Sequence, residues 1–240
     1  MNRMRADLLL VARGLVESRA KARAAIEAGG VVADGAVVGK ASDLLREDAA
    51  LEVTAPHPWV SRGGVKLAAA LDAFGVDPVG RVCLDVGAST GGFTDVLLTR
   101  GAAKVYAVDV GSGQLHAKLR GDARVVSLEQ TDARTLTRAH VPEAPSFVVC
   151  DVSFIGAAKA LAAPLALAAE RADLVALIKP QFEAGPHKNA VLDEAAARAA
   201  AESAIAALDG LEGFKRAAVI DSPIRGGDGN LELLLHAVRR

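Results

Sequence analysis

The chain has 240 residues, 51% of them hydrophobic, so it can bury one or two full cores and is not a disordered protein. Its 28 Lys and Arg nearly balance 29 Asp and Glu, and a formal net charge of −1 argues against a protein that coats nucleic acid by charge alone. Two cysteines give neither a disulfide framework nor a zinc spacing, and two buried thiols in a reducing compartment are the expectation.

The opening "MNRMRADLLLVARG" has only a short apolar run before Arg13, so no secretory leader is expected and the cytoplasm is the expected compartment. Leu8, Leu9, Val11, Ala12 and Leu15 would form one apolar helix face. Ser18 reads as the N-cap of a second helix running to about Ala28, with Gly29 and Gly30 as its stop. "VVADGAVVGKASDLLREDAALEV" then gives short strands around an Asp34-Gly35 turn. Charge in this piece is uneven. Arg3, Arg5, Arg13, Arg19, Lys21 and Arg23 face only Asp7 and Glu17, and the acids return at Asp43, Glu47, Asp48 and Glu52. Arg5, Arg13, Arg19 and Arg23 are therefore candidate RNA contacts, with Arg19 and Arg23 four apart on one helix face. An ordinary solvated surface has the same charge pattern, which does not decide between the two.

"VTAPHPWVSRGG" has linker character. The expected organisation is a first domain over 1–56, a linker over 57–60 and a second domain over 61–240. In the second, "GVKLAAALDAFG" is helical, and apolar strands follow at "RVCLDVG", "KVYAVDVG", "RVVSLEQ", "SFVVCDVS", "DLVALIKP", "FKRAAVIDS" and "LELLLHAV". Helical stretches between several of them indicate a parallel sheet covered on both faces. The longest apolar region, "AAKALAAPLALAAERADLVALIKP", is broken by Pro164, Glu170, Arg171 and Asp173 and is too interrupted to span a bilayer. The last two strands are joined by "SPIRGGDGN", too short for anything but an antiparallel neighbour. The expected fold is an α/β, Rossmann-like class I methyltransferase sheet with an antiparallel last strand, preceded by a small α+β domain.

In such a sheet ligands bind at the carboxyl ends of the strands. Asp85 ends the first strand, "GASTGG" makes the turn, and Gly87, Gly91 and Gly92 allow close approach to the backbone. Asp109 ends the second strand, where an acid can hold a ribose. The spacing is G-x-x-x-G-G and not the dinucleotide G-x-G-x-x-G. With Asp85, Asp109 and Asp132 around the loop and no nearby arginine for a phosphate, the cationic methyl donor S-adenosylmethionine is the favoured cofactor. Four more ionisable residues fall near the rim: Lys66, Asp151, Lys179 and Glu232. The histidines show no ligand spacing, so no metal is expected.

The first segment, through "ARGLVESRAKA", the glycine pair, "ADGAVV" and "EDAALEV", resembles the S4 RNA-binding domain, although Ala6 stands where that family more often has a larger apolar residue. The scarcity of aromatics fits recognition of folded RNA by shape and phosphate. "SRGGVKL", "DVGASTGGFT", "CDVSFI", "LIKPQFE" and "SPIRGGDGNLE" resemble the ribosomal-RNA ribose methyltransferases of the hemolysin A, or TlyA, family, within the FtsJ-like group. The resemblance implies a Lys66, Asp151, Lys179, Glu232 tetrad, and donor contacts from the glycine loop, Phe93, Asp109 and Asp132. It also implies ribosomal RNA in the ribosomal subunits as partner, with cytidine as target. Lys179 would be the base, Lys66 would ease its deprotonation and hold the ribose, and Asp151 and Glu232 would orient the two amines. The rival readings are a non-catalytic RNA-binding assembly factor, against which the complete tetrad speaks, and a membrane-lysing toxin, for which no apolar helix is present.

Overall fold

The computed structural model describes residues 2–27, 29–54, 57–185 and 191–240. The chain forms two compact units, Met1–Pro58 and Trp59–Arg240, so the division falls inside the 57–60 segment. Pro56, where the first domain was expected to end, lies outside the described residues, as does Ala28.

The first unit runs β1 (Arg3–Arg5), α1 (Ala6–Ala12), α2 (Arg19–Glu27), β2 (Val31–Ala33), β3 (Ala36–Val37), β4 (Leu44–Arg46) and β5 (Leu51–Val53). β1 pairs with β4, and β3, β2 and β5 form a second sheet. The β2–β3 turn places Asp34 at φ 49° and Gly35 at φ 81°, the two positive values a tight hairpin needs. The Lys21 N–H donates to Ser18 Oγ at 3.3 Å, so Ser18 starts α2 as expected. Ala6, Leu10, Ala22, Ala25, Ile26 and Val31 form the core. The expected apolar face of α1 is corrected: Leu8 and Leu15 are exposed, and Ala6, Leu9 and Leu10 are buried. The helix is only seven residues long, and the chain leaves it at Arg13 and Gly14 before Leu15.

Asp7 is sealed from solvent and takes hydrogen bonds from Arg5 Nε at 3.0 Å and Arg19 Nη2 at 2.8 Å. These bonds, Arg5's first, hold its carboxyl well below the usual carboxylate range. Burial opposes the shift and is outweighed by these bonds. A folded-state pKa below the unfolded one adds stability fully above the unfolded value of about 4, and that stability fades as pH falls through the folded value. Asp7→Asn should lower the melting temperature of the first unit at pH 7 and reduce its further loss in acid. A variant that melts like wild type at both pH 7 and pH 3 would contradict this.

The second unit runs α3 (Gly63–Phe74), β6 (Val82–Val86), α4 (Gly92–Thr99), β7 (Lys104–Val108), α5 (Ala117–Arg120), β8 (Val125–Leu128), β9 (Phe147–Cys150), α6 (Ala157–Ala166), β10 (Ala172–Ile178), α7 (Pro180–Glu183), α8 (Glu194–Leu208), β11 (Lys215–Asp221) and β12 (Leu233–Arg239). The seven strands lie in the order β8-β7-β6-β9-β10-β12-β11. β12 is antiparallel to both its neighbours, and β6 to β10 are parallel. β9 and β10 are buried along their whole length, which is why they read as unbroken apolar runs. Leu161, Leu165, Ala201 and Ile205 from α6 and α8 cover one face. Leu67, Leu71, Val96, Leu97 and Leu119 from α3, α4 and α5 cover the other. Cys83 and Cys150 are free and buried in these layers, and burial pushes both thiols up to about 12. Among the described residues no helix is long and apolar enough to cross a membrane.

Two features of this topology build the site. The connection reverses direction between β6 and β9, which opens a crevice at their carboxyl ends. Because β12 is antiparallel, its first residue lies at that same edge, with Leu233 opposite Ile178. Glu232 is thereby brought beside Lys179.

Candidate active site

Two adjoining cavities occupy the crevice, of about 180 Å³ and about 330 Å³. They share Gly87, Ser89, Asp151 and Ser153. Gly92, Phe93 and Lys179 line the smaller one, and Asp109, Asp132 and a set of apolar residues including Val108, Val110 and Ile155 line the larger. Gly87 has φ 85°, and a Cβ there would fall 2.6 Å from the Asp151 carbonyl, so only glycine lets the two strand ends come this close. Gly91 has φ 94°, a left-handed setting that favours glycine, and it lies beside the methyl ends of Leu115 and Leu119.

The three acids expected around the loop have different positions. Asp109 accepts the Ser89 N–H at 2.8 Å and the Gly111 N–H at 2.7 Å, so it ties the glycine loop to the end of β7 while lining the larger cavity. Asp85 lines neither cavity. It is fully buried and takes the Thr94 hydroxyl at 2.7 Å, tying β6 to α4. Burial raises its carboxyl to about 7, with the Thr94 bond pulling the other way. Asp132 lines the larger cavity paired to Arg134, whose hydrogen bonds lower its pKa. An arginine therefore does stand at this cavity, contrary to the sequence reading, and its guanidinium is engaged with Asp132 at 2.5 Å.

Lys66, Asp151, Lys179 and Glu232 come together as two ion pairs. Lys179 follows the last residue of β10, and Pro180 at the first position of α7 ends the strand there. Its Nζ lies 2.6 Å from Asp151 Oδ1, as an ion pair not aligned as a hydrogen bond, and donates to Ser153 Oγ at 2.9 Å. Lys66, on α3, pairs with Glu232, and both are buried. Burial raises the Glu232 carboxyl, and Lys66 and then Lys179 oppose that rise. Lys179 and Asp151 face the smaller cavity, whereas Lys66 lies outside its lining, engaged with Glu232.

Three features escaped the sequence reading. Ser153 touches Lys179. Phe154 is 90% exposed at φ 67°, a strained setting for a phenylalanine, with its ring 5.0 Å from that of Phe182. Glu183 accepts the Ala157 N–H at 2.8 Å and so fixes the loop that carries both to the start of α6. Trp59 packs against Gly64, where a Cβ would lie 2.4 Å from the tryptophan, and the Val60 N–H donates to buried Asp95 at 3.0 Å.

Among known proteins, the sequence model of the FtsJ-like methyltransferases matches residues 59–239, and that of the S4 domain matches residues 4–51. The Mycobacterium tuberculosis (strain ATCC 25618 / H37Rv) protein named 16S/23S rRNA (cytidine-2'-O)-methyltransferase TlyA is 45% identical over 97% of this chain and 89% of its own length. Hemolysin A of Brachyspira hyodysenteriae is 41% identical over 98% of this chain and 100% of its own. A solved hemolysin-named structure from Streptococcus thermophilus is similar at a TM-score of 0.77 and 38% identity, covering 100% of this chain and 89% of that one. With both domain families matched in order and the relatives aligned over nearly their whole length, the chain belongs to the TlyA family of FtsJ-like methyltransferases.

Proposed function

We propose that this protein methylates the 2′-hydroxyl of a cytidine ribose in ribosomal RNA, with S-adenosylmethionine as the donor. The observation that carries this is the pair of lysine–carboxylate contacts at the sheet edge, one of them lining a cavity that adjoins the glycine loop and Asp109. The cavities fit the donor. Asp109 keeps spare lone pairs for a ribose, apolar side chains wall the larger cavity, and its one lining guanidinium is bound to Asp132. Asp109, Asp132, Gly87 and Phe93 would hold S-adenosylmethionine, which when bound supplies an electrophilic methyl group. A ribose hydroxyl attacks poorly until its proton leaves. Lys179, once the ammonium of its ion pair has released a proton to solvent, takes the hydroxyl proton, and the oxygen's electrons would form the new O–C bond as the methyl group's bond to the donor sulfur breaks. Asp151 holds the resulting ammonium, and the Lys66–Glu232 pair places a further fixed dipole beside it. Phe154 offers an exposed ring face to an unpaired base. An RNA substrate of this kind places the reaction in the cytoplasm, where ribosomes are assembled.

The test is transfer of labelled methyl groups to ribosomal subunits purified from a strain lacking the enzyme. Label should enter the RNA of those subunits and not of subunits already modified in the cell. Equal labelling of both would contradict a defined target site.

Two further results are expected. Asp109→Ala should weaken donor binding by about 1–3 kcal/mol, the scale of lost hydrogen bonds to a charged group; calorimetry showing unchanged affinity would remove Asp109 from the donor site. In the first unit, Arg23 is exposed on α2 and is a cleaner probe than Arg19, which also holds Asp7. Arg23→Ala should lower RNA affinity and reduce the salt slope by about one unit. An unaltered slope would mean that Arg23 touches no phosphate.

A further inference from the structure

We infer that Ser153 is a positioning residue for methyl transfer, fixing the direction in which the Lys179 amine presents its lone pair. This rests on Lys179 being the base, as proposed above. A neutral amine carries two N–H bonds and one lone pair, set tetrahedrally about nitrogen with the bond to the chain. Rotation about that bond leaves three positions for the lone pair. An aligned acceptor takes one N–H and so removes one of them. Lys179 has two acceptors at contact distance, Asp151 Oδ1 at 2.6 Å and Ser153 Oγ at 2.9 Å. They differ in kind. The Asp151 contact is not aligned as a hydrogen bond, so it supplies charge without fixing direction. The Ser153 contact is aligned, and it sets the rotation of the amine.

Ser153, Asp151 and Lys179 all line the smaller cavity, so an acceptor hydroxyl entering it meets the amine whose rotation Ser153 sets. Ser153 is itself held in place. Phe154 turns the chain at φ 67° directly after it, and Glu183 fixes the end of the loop through the Ala157 N–H. When the hydroxyl proton moves to the Lys179 lone pair, the ammonium has three N–H bonds. One stays with Ser153, the positive charge rests beside Asp151, and the newly formed N–H faces the oxygen that has just been methylated. No rearrangement of the two acceptors is needed in the step.

Single-turnover methylation of ribosomal subunits, with donor saturating, tests this with Ser153→Ala, Ser153→Thr and Lys179→Arg side by side. Ser153→Ala should slow the step about tenfold or more, the order expected when a reacting group loses its orientation, while thermal melting is unchanged. Ser153→Thr keeps the hydroxyl and should recover most of the rate. A wild-type rate for the alanine variant, or a threonine variant as slow as alanine, overturns the inference. If Lys179→Arg is inactive in the same assay, the base assignment survives that result. If Lys179→Arg is active, the base assignment and the role of Ser153 fall together.

Discussion

Lys179→Ala should abolish methyl transfer while leaving the fold and donor affinity close to those of wild type. The lysine side chain is 13% exposed and that of Asp151 is 21% exposed, so water can reach the carboxylate once the amine is gone. The cost to stability is therefore small compared with that of opening a fully buried pair. The loss should instead appear in the rate, by about 10²- to 10⁴-fold, the range of positioned proton transfer. Lys179→Arg should fail almost as completely. Arginine keeps the positive charge beside Asp151 but does not release its proton in a protein. The arginine variant thus separates a base from a cation that merely clamps phosphate, a task at which arginine would succeed. A near-wild-type single-turnover rate for Lys179→Arg would leave proton removal to Asp151 or water.

The second large effect concerns stability. Lys66 and Glu232 form a buried pair joining α3 to the start of β12. Lys66→Met removes one partner and strands a carboxylate whose pKa burial already raises. The expected cost is about 3–5 kcal/mol. Adding Glu232→Leu should restore most of that stability, because two apolar side chains of similar size need no charge compensation. The double variant should still be inactive, since the fixed dipole beside Lys179 is gone. Denaturant unfolding of the single and double variants checks the first claim, and methylation by the refolded double variant checks the second. A Lys66→Met protein as stable as wild type would show that the pair is not closed off from water in solution.

The catalytic sheet was legible in the sequence because its strands are buried on both faces and appear as continuous apolar runs. The place of β12 followed from a loop too short to cross the sheet, and that one topological fact brings Glu232 to Lys179. Other features depended on side-chain direction, which pattern does not carry. α1 is too short for its periodicity to choose a face, so Leu8 and Leu15 were misplaced. Asp85 and Asp109 both sit at the ends of apolar strands, yet one points into the body of the unit, onto Thr94, and the other lines a cavity. Arg134 is two residues from Asp132, and only the turn between them shows that it enters the cavity wall. Ser153 and Phe154 are placed by a strained backbone angle that no spacing announces. The joint hold of Arg5 and Arg19 on Asp7 spans a loop and could not be told from an ordinary charged surface.

The central claim is that the methyl group is delivered to a ribose oxygen and not to a base. It is tested most directly by methylating ribosomal subunits from a strain lacking the enzyme, digesting the RNA to nucleosides and identifying the modified species by mass spectrometry. The account predicts cytidine carrying the methyl group on its ribose, formed about 10²-fold or more slowly with Lys179→Ala. A methyl group on the nucleobase, or ribose methylation undiminished in the Lys179→Ala protein, would contradict it.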